Sequence, residues 1–359
     1  MKKIINSTYK WFGERIPLKE LIDFISKKGV PIHSYSYWYF FGGICLFLYI
    51  TQVVTGILLL LYYKPTAESA YESVHFIVAN VPFGWLIRSI HSWSANLLIG
   101  AIFIHMFSTY FLKAYRPPRE LTWITGCLLL YLFLAFGFSG YLLPWNELSF
   151  FATKVGTEIV GVLPIIGKPL KIFLRGGEEV SGATLTRFFG FHVAVLPGIV
   201  FIILGIHLLL LQIHGMSVPL GMKEEEVKKE PFFPNFFIKE LIGWLLITVI
   251  LVSLSVFFPW PLGKKADPFA SAPAGIKPEW YFTFMFLTLK LLPQKVIFIE
   301  GEVLGVLIFF IAAIFLLLIP FLDLWSKKEK RNPIFTWIGI FAVLYIIIMT
   351  ILTYILPGK

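Results

Sequence analysis

Apolar residues in this chain come in long runs with few charges, not in strand-like alternation or narrow helical stripes. Seven runs are long enough to cross a bilayer as helices, at 36–63, 83–112, 121–143, 188–213, 237–258, 301–322 and 334–356. Between them lie short polar stretches, including the charged run Lys223 to Glu230, and two much longer connections, Pro144 to Arg187 and Pro259 to Glu300. Both long connections are rich in proline, glycine and aromatics, unlike a disordered linker, and loops of that length in a compact protein usually carry function. Ahead of the first run, Ile4, Trp11, Phe12, Leu18, Leu21, Ile22 and Ile25 alternate with Lys3, Lys10, Lys19, Lys27 and Lys28. That pattern predicts an amphipathic helix lying on the membrane surface and ended at Gly29-Val30-Pro31. The expected class is an all-α polytopic membrane protein with seven transmembrane helices. Residues 1–32 form its interfacial helix, 33–215 a four-helix bundle, 216–236 a cytoplasmic loop and 237–359 a three-helix half.

Composition agrees. The 359 residues are 57% hydrophobic and only 14% charged, against about 25% charged in soluble proteins. Lys and Arg outnumber Asp and Glu by 31 to 21, an excess that in a soluble protein could signal nucleic-acid binding. Here it sits in short loops between apolar runs, so it reads as topology, and nucleic acid is not an expected partner. The basic density is higher on the side of the N-terminus, which the positive-inside rule places in the cytoplasm, with the chain multi-pass in the inner (cytoplasmic) membrane. Lys2 and Lys3 lead into Trp11, Glu14 and Arg15 with no apolar core, so no secretory leader is expected. Cys45 and Cys127 lie alone inside apolar runs and read as small buried hydrophobes, which leaves no CxxC pair for zinc, an iron–sulfur cluster or a covalently attached haem.

The candidate chemistry lies in the second and fourth runs. His91 and His105 are 14 apart (105 − 91); at about 100° and 1.5 Å per residue they share a helix face and differ in depth by about 21 Å. A neutral imidazole in hydrocarbon needs a partner, and haem iron is a natural one. His192 and His207 repeat the pattern at a spacing of 15 (207 − 192), which leaves them about 60° out of line on a regular helix. Spans two and four run in the same direction, so His91 is level with His192 near the outer surface and His105 with His207 near the inner one. Two facing pairs predict two non-covalent b-type haems, each with bis-histidine iron. Gly42 and Gly56 in the first span, and Gly126 and Gly140 in the third, share the period of 14 and the depths of the histidines; bare backbone there lets a flat haem press close. Arg88 and Arg187 precede the outer histidines and are candidates to pair with haem propionates.

These residues resemble the dihaem half of cytochrome b from the quinol-oxidising bc complexes. The likeness rests on the four histidines, the glycine pairs, Phe83-Gly84-Trp85-Leu86-Ile87-Arg88-Ser89, Pro118-Arg119-Glu120-Leu121-Thr122-Trp123 and Gly140-Tyr141-Leu142-Leu143-Pro144-Trp145. The spacing of 15 is similar to the bf type of photosynthetic membranes. Ala266-Asp267-Pro268-Phe269 and Pro278-Glu279-Trp280-Tyr281-Phe282 match the family's quinol-site signature, so the second half resembles the bf-type three-helix partner subunit, fused here into one chain.

The resemblance implies quinol oxidation at an outer site. Glu279 would accept a proton, Tyr281 would shape the pocket with Pro278, and Tyr141 would form the opposite wall. One electron would pass to a separate Rieske-type iron–sulfur protein and the other through two b haems to quinone at an inner site, with proton translocation. A c-type cytochrome subunit and a homodimeric complex are further expectations of the family. This chain departs from the pattern at Phe40, where the bf type has a haem-binding cysteine, at Gln212, and at Ser108. His214 and Lys28 are candidates for inner proton delivery, while His33 and His75 are expected on the surface. Two other readings stay open from sequence: a dihaem anchor serving a dehydrogenase without bifurcation, and a transporter with intramembrane histidines.

Overall fold

A computed structural model describes residues 2–15, 28–223, 225–324 and 333–356. The predicted interfacial helix is described as α1, Lys2–Gly13; Leu18, Lys19, Leu21, Ile22, Ile25 and Lys27 fall outside the described residues. Among the described residues, seven helices are long and apolar enough to span a membrane. They are contained in α2 (Phe40–Leu60), α4 (Gly84–Phe111), α5 (Glu120–Leu142), α8 (Gly182–His214), α9 (Phe237–Phe257), α11 (Gly301–Leu322) and α12 (Pro333–Ile355). Shorter helices fill the connections: α3 (Ala70–Asn80), α6 (Glu147–Gly161), α7 (Gly167–Arg175) and α10 (Trp280–Leu291).

The first four spans pack as two pairs, α2 along α4 and α5 along α8, and α9, α11 and α12 lean on α4 and α5 from outside. Leu48, Leu98, Phe133 and Val200 meet in one buried cluster, one residue from each span of the bundle. Each lies midway between the two sequence-predicted positions on its helix, so an apolar plug separates an outer from an inner layer. On the lipid side α8 exposes Phe201, Ile202 and Leu209, and α12 exposes Trp337 and Phe341, as expected where the solvent is hydrocarbon.

The fourth span starts earlier than its hydropathy predicts. Ser181 donates its backbone N–H to Thr184 Oγ1 at 3.0 Å, starting a polar first turn that carries the helix out of the apolar zone. After the helix of Gly182–Gly190, Phe191–Val195 widens to a π turn containing His192. A π turn accommodates one extra residue in an otherwise α-helical path.

Both long connections are ordered. In the first, α6 and α7 form a hairpin pinned by the fully buried Arg175, which donates to Thr157 Oγ1 (2.7 Å), Glu178 O (2.7 Å) and Lys154 O (2.9 Å) and pairs with Glu158 at 2.9 Å. The second is laced to the end of α5 by Ala266 N–H to Trp145 O (3.1 Å), Glu147 N–H to Lys264 O (2.9 Å) and Asn146 Nδ2 to Leu262 O (2.7 Å). These bonds carry the Pro278-Glu279 segment to the outer end of the bundle. At the other end, Gly29–Pro31 pairs antiparallel with Lys229–Pro231.

Candidate functional site

Four histidines face four glycines across the bundle. Gly56 and Gly140 lie against the rings of His91 and His192, and Gly42 and Gly126 against those of His105 and His207. A Cβ at Gly140 would come within 2.5 Å of His192 Cε1, and one at Gly56, Gly126 or Gly42 within 3.3–3.4 Å of its histidine. The period-14 glycines therefore make room for the imidazoles themselves, each lying directly against a histidine ring. The π turn explains why a spacing of 15 works on α8: the extra residue is absorbed beside His192, so His192 and His207 return to one face.

Hydroxyls one residue before the glycines orient the rings. Thr55 Oγ1 lies 2.9 Å from His91 Nδ1, Ser139 Oγ 3.1 Å from His192 Nδ1, and Thr125 Oγ1 3.0 Å from His207 Nδ1. Each hydroxyl also donates to a carbonyl of its own helix: Thr55 to Thr51 (2.6 Å), Thr125 to Leu121 (2.8 Å) and Ser139 to Phe136 (3.2 Å). With its hydrogen committed, each oxygen accepts from Nδ1–H. That arrangement holds the proton on Nδ1 and leaves Nε2 as the nitrogen with a free lone pair, the usual support for a histidine that binds a metal. The rings of His91 and His192 have centroids 6.4 Å apart, room for one metal atom at about 2 Å from a nitrogen on each side. Each of these hydroxyls is legible in the sequence as the residue before a period-14 glycine.

One cavity of about 430 Å³ joins the outer pair to the rest of the predicted outer site. His91, His192, Arg88, Gly56, Gly140, Tyr141, Glu279 and Tyr281 all line it. A more open cleft of about 640 Å³, bounded by Phe41, Ile44, Ile104 and Ile247, reaches Pro278, and the two spaces share Asn96, Tyr141, Trp260 and Glu279 as a common wall. Glu279 stands at the N-terminus of α10 but makes no capping bond, so its carboxyl remains available. Burial raises its pKa above the ordinary carboxylate value. Tyr281, buried with its hydroxyl against Gly137, is pushed up by burial and then by the charges of Glu279 and Tyr141. Trp280 holds this segment to α4 by donating Nε1–H to Asn96 Oδ1 at 2.9 Å.

The two arginines part company. Arg88 lines the outer cavity while donating to the carbonyls of Trp260 (2.6 Å) and Pro261 (3.0 Å), so it also ties α4 to the second long loop. Arg187 is exposed and donates to Phe173 O on α7, and it is not among the residues lining the outer cavity.

At the inner level, Lys28 donates to Gln212 O beside the C-terminus of α8, and His214 lies two residues further along the same helix. His33 is half-buried, bonded through Nε2 to Tyr39 OH at 2.6 Å, and so differs from the surface position expected of it; His75 is exposed. The structure adds Glu240, which sequence reasoning missed. It is 8% exposed, its Oε2 is buried without a partner among the described residues, and it packs against Gly43. The indole N–H of Trp244, one turn along α9, is also buried without a partner among the described residues. A lone acid inside an apolar span, four residues before a tryptophan, was the available signal.

Seven candidate spans, four of them forming a bundle with histidines inside it, place the protein in a class: polytopic membrane proteins with imidazoles buried among their spanning helices. Comparison with known proteins gives the family. The profile for cytochrome b/b6/petB matches residues 25–215 and that for cytochrome b (C-terminal)/b6/petD matches 265–357. A cytochrome bc complex cytochrome b subunit of Chlorobaculum thiosulfatiphilum is 52% identical over 347 residues, 96% of this chain and 80% of that protein. Cytochrome b6 of Gloeobacter violaceus is 41% identical over 216 residues, 60% of this chain and all of that one. A solved hyperthermophilic respiratory Complex III superposes with a TM-score of 0.86 at 31% identity, covering 98% of this chain and 92% of its own. The chain belongs to the cytochrome b family of bc complexes, with the b6-like and C-terminal halves joined in one polypeptide. Membership implies b-type haem binding and membrane electron transport.

Proposed function

We propose that this chain oxidises quinol at its outer site and reduces quinone near its inner face, as the membrane subunit of a complex with a Rieske-type iron–sulfur protein and a c-type cytochrome. One observation carries the reading: Glu279, Tyr141 and Tyr281 line the same outer cavity as His91 and His192. The residues fit a haem at each level, His91 with His192 and His105 with His207. Bound there, haem supplies reversible one-electron chemistry at two depths of the membrane.

The protein's own groups do the rest. Quinol enters along the open cleft and meets the shared wall, where Tyr141 and Tyr281 pack its ring and exclude water. Oxidation to quinone releases two electrons and two protons. The Glu279 carboxylate takes one proton, and its raised affinity for protons suits it to the task, while the other passes to water on the outer side. One electron leaves to the iron–sulfur partner on the outer loops, and the other is drawn inward. At the inner face, Glu240 Oε2 and the Trp244 indole N–H, both buried without a partner among the described residues, offer a quinone oxygen a proton and a hydrogen bond, with Lys28 and His214 on the route to inner water. Proton release outside and uptake inside require the N-terminus in the cytoplasm and the chain in the inner membrane, where the complex is expected to be a homodimer.

The test is Glu279→Gln. Quinol oxidation should fall about 10²-fold or more while the haem spectrum is unchanged; an unaltered rate would remove Glu279 from the mechanism.

A further inference from the structure

The bundle repeats itself after 14 residues, and the repeat is broken at one place. On α4, His91 maps onto His105; on α2, Thr55-Gly56 maps onto Phe41-Gly42. Gly42 faces His105 as Gly56 faces His91, each with a prospective Cβ 3.4 Å from the ring's Cε1. The hydroxyl that holds His91 Nδ1 has no counterpart beside His105, because Phe41 stands where Thr55 would. His105 Nδ1 is correspondingly buried with no hydrogen-bond partner among the described residues. His207, on the opposite side of the same layer, keeps its hydroxyl from Thr125 at 3.0 Å. The Phe41 ring lies 5.6 Å from Trp38 and lines the open cleft with Ile44 and Leu48.

An acceptor on Nδ1–H draws electron density toward Nε2 and makes the imidazole a stronger donor to iron. A stronger donor favours the oxidised metal and lowers its reduction potential, one of the protein's standard levers on haem. We infer that Phe41, by withholding the hydroxyl from His105, sets the inner haem at a more positive reduction potential than a hydroxyl-bearing residue there would. Electron flow from the outer to the inner level is thereby favoured by a single side chain on α2. The inference rests on the proposed pairing of His105 with His207 at an inner haem.

The experiment is an anaerobic redox titration of the purified complex, followed in the optical haem bands. Phe41→Thr should move the inner haem to lower potential and leave the outer haem unchanged. Phe41→Leu, which removes the ring without adding an acceptor, should move neither. Thr125→Val, which removes the hydroxyl on the facing ligand, should move the inner haem to higher potential. If Phe41→Thr and Phe41→Leu shift the inner haem alike, or Thr125→Val leaves it in place, the inference is overturned. A wild-type complex with no inner haem component would instead overturn the pairing on which it rests.

Discussion

At the outer level, His91 and His192 open onto a cavity with Arg88, Tyr141, Glu279 and Tyr281, and both imidazoles are held by hydroxyls. At the inner level, His105 lacks that hold, and the nearby acid is Glu240, which lies on span α9 where Glu279 lies in a connection, and which packs against bare backbone at Gly43. The same period-14 scaffold thus carries two different environments. The lesson is that the repeat fixes where redox groups can sit, while the residues around it decide what each site does. The outer surroundings come from loops, the second long connection above all, and loops can bring a carboxylate to the membrane edge where released protons reach water. The inner surroundings come from span residues, so an acid there is enclosed by helices.

Substitutions that act on one level alone should separate the two. The largest effect is expected from the ligands. His192→Ala should remove the outer haem signal and abolish quinol oxidation, with the inner signal retained in reduced-minus-oxidised spectra. The glycines come next. Gly140→Val forces side-chain atoms into a space where even a Cβ would lie 2.5 Å from His192, and should displace the outer haem; Gly42→Ala, at 3.4 Å from His105, should leave the inner haem bound. The comparison is read from haem content per complex. A smaller effect is expected in the pH profile of quinol oxidation. The pKa of Glu279 is raised from 4.5 by burial, so the carboxyl keeps its proton to higher pH and the base form grows in only above that value. The rate should therefore climb along a limb lying above pH 4.5, and Glu279→Gln should flatten that limb. Thr55→Val is the mildest change: both haems should remain, with outer haem affinity lower by roughly 10–100-fold.

Much of this arrangement was legible in the chain itself. Long apolar runs with few charges give the seven spans, and the spacing of His91, His105 and the four glycines gives faces and depths, because helical periodicity is rigid. What escaped depends on local departures from that rigidity or on contacts between distant segments. The fourth span's spacing of 15 reads as a 60° error on a regular helix, and only the π turn at Phe191–Val195 cancels it. Arg88 and Arg187 looked equivalent by position, yet one reaches the outer cavity and the other an exposed turn of α7. Glu240 carried no period to mark it; its meaning comes from Gly43, nearly 200 residues earlier in sequence.

The central claim is that each histidine of α4 serves a different haem. A potentiometric titration of His105→Ala, with the unsubstituted complex alongside, tests it most directly. Two b-type components are predicted in the unsubstituted complex, with the inner one lost and the outer one retained at its potential in His105→Ala. A single component in the unsubstituted complex, or both components surviving the substitution, would contradict the account.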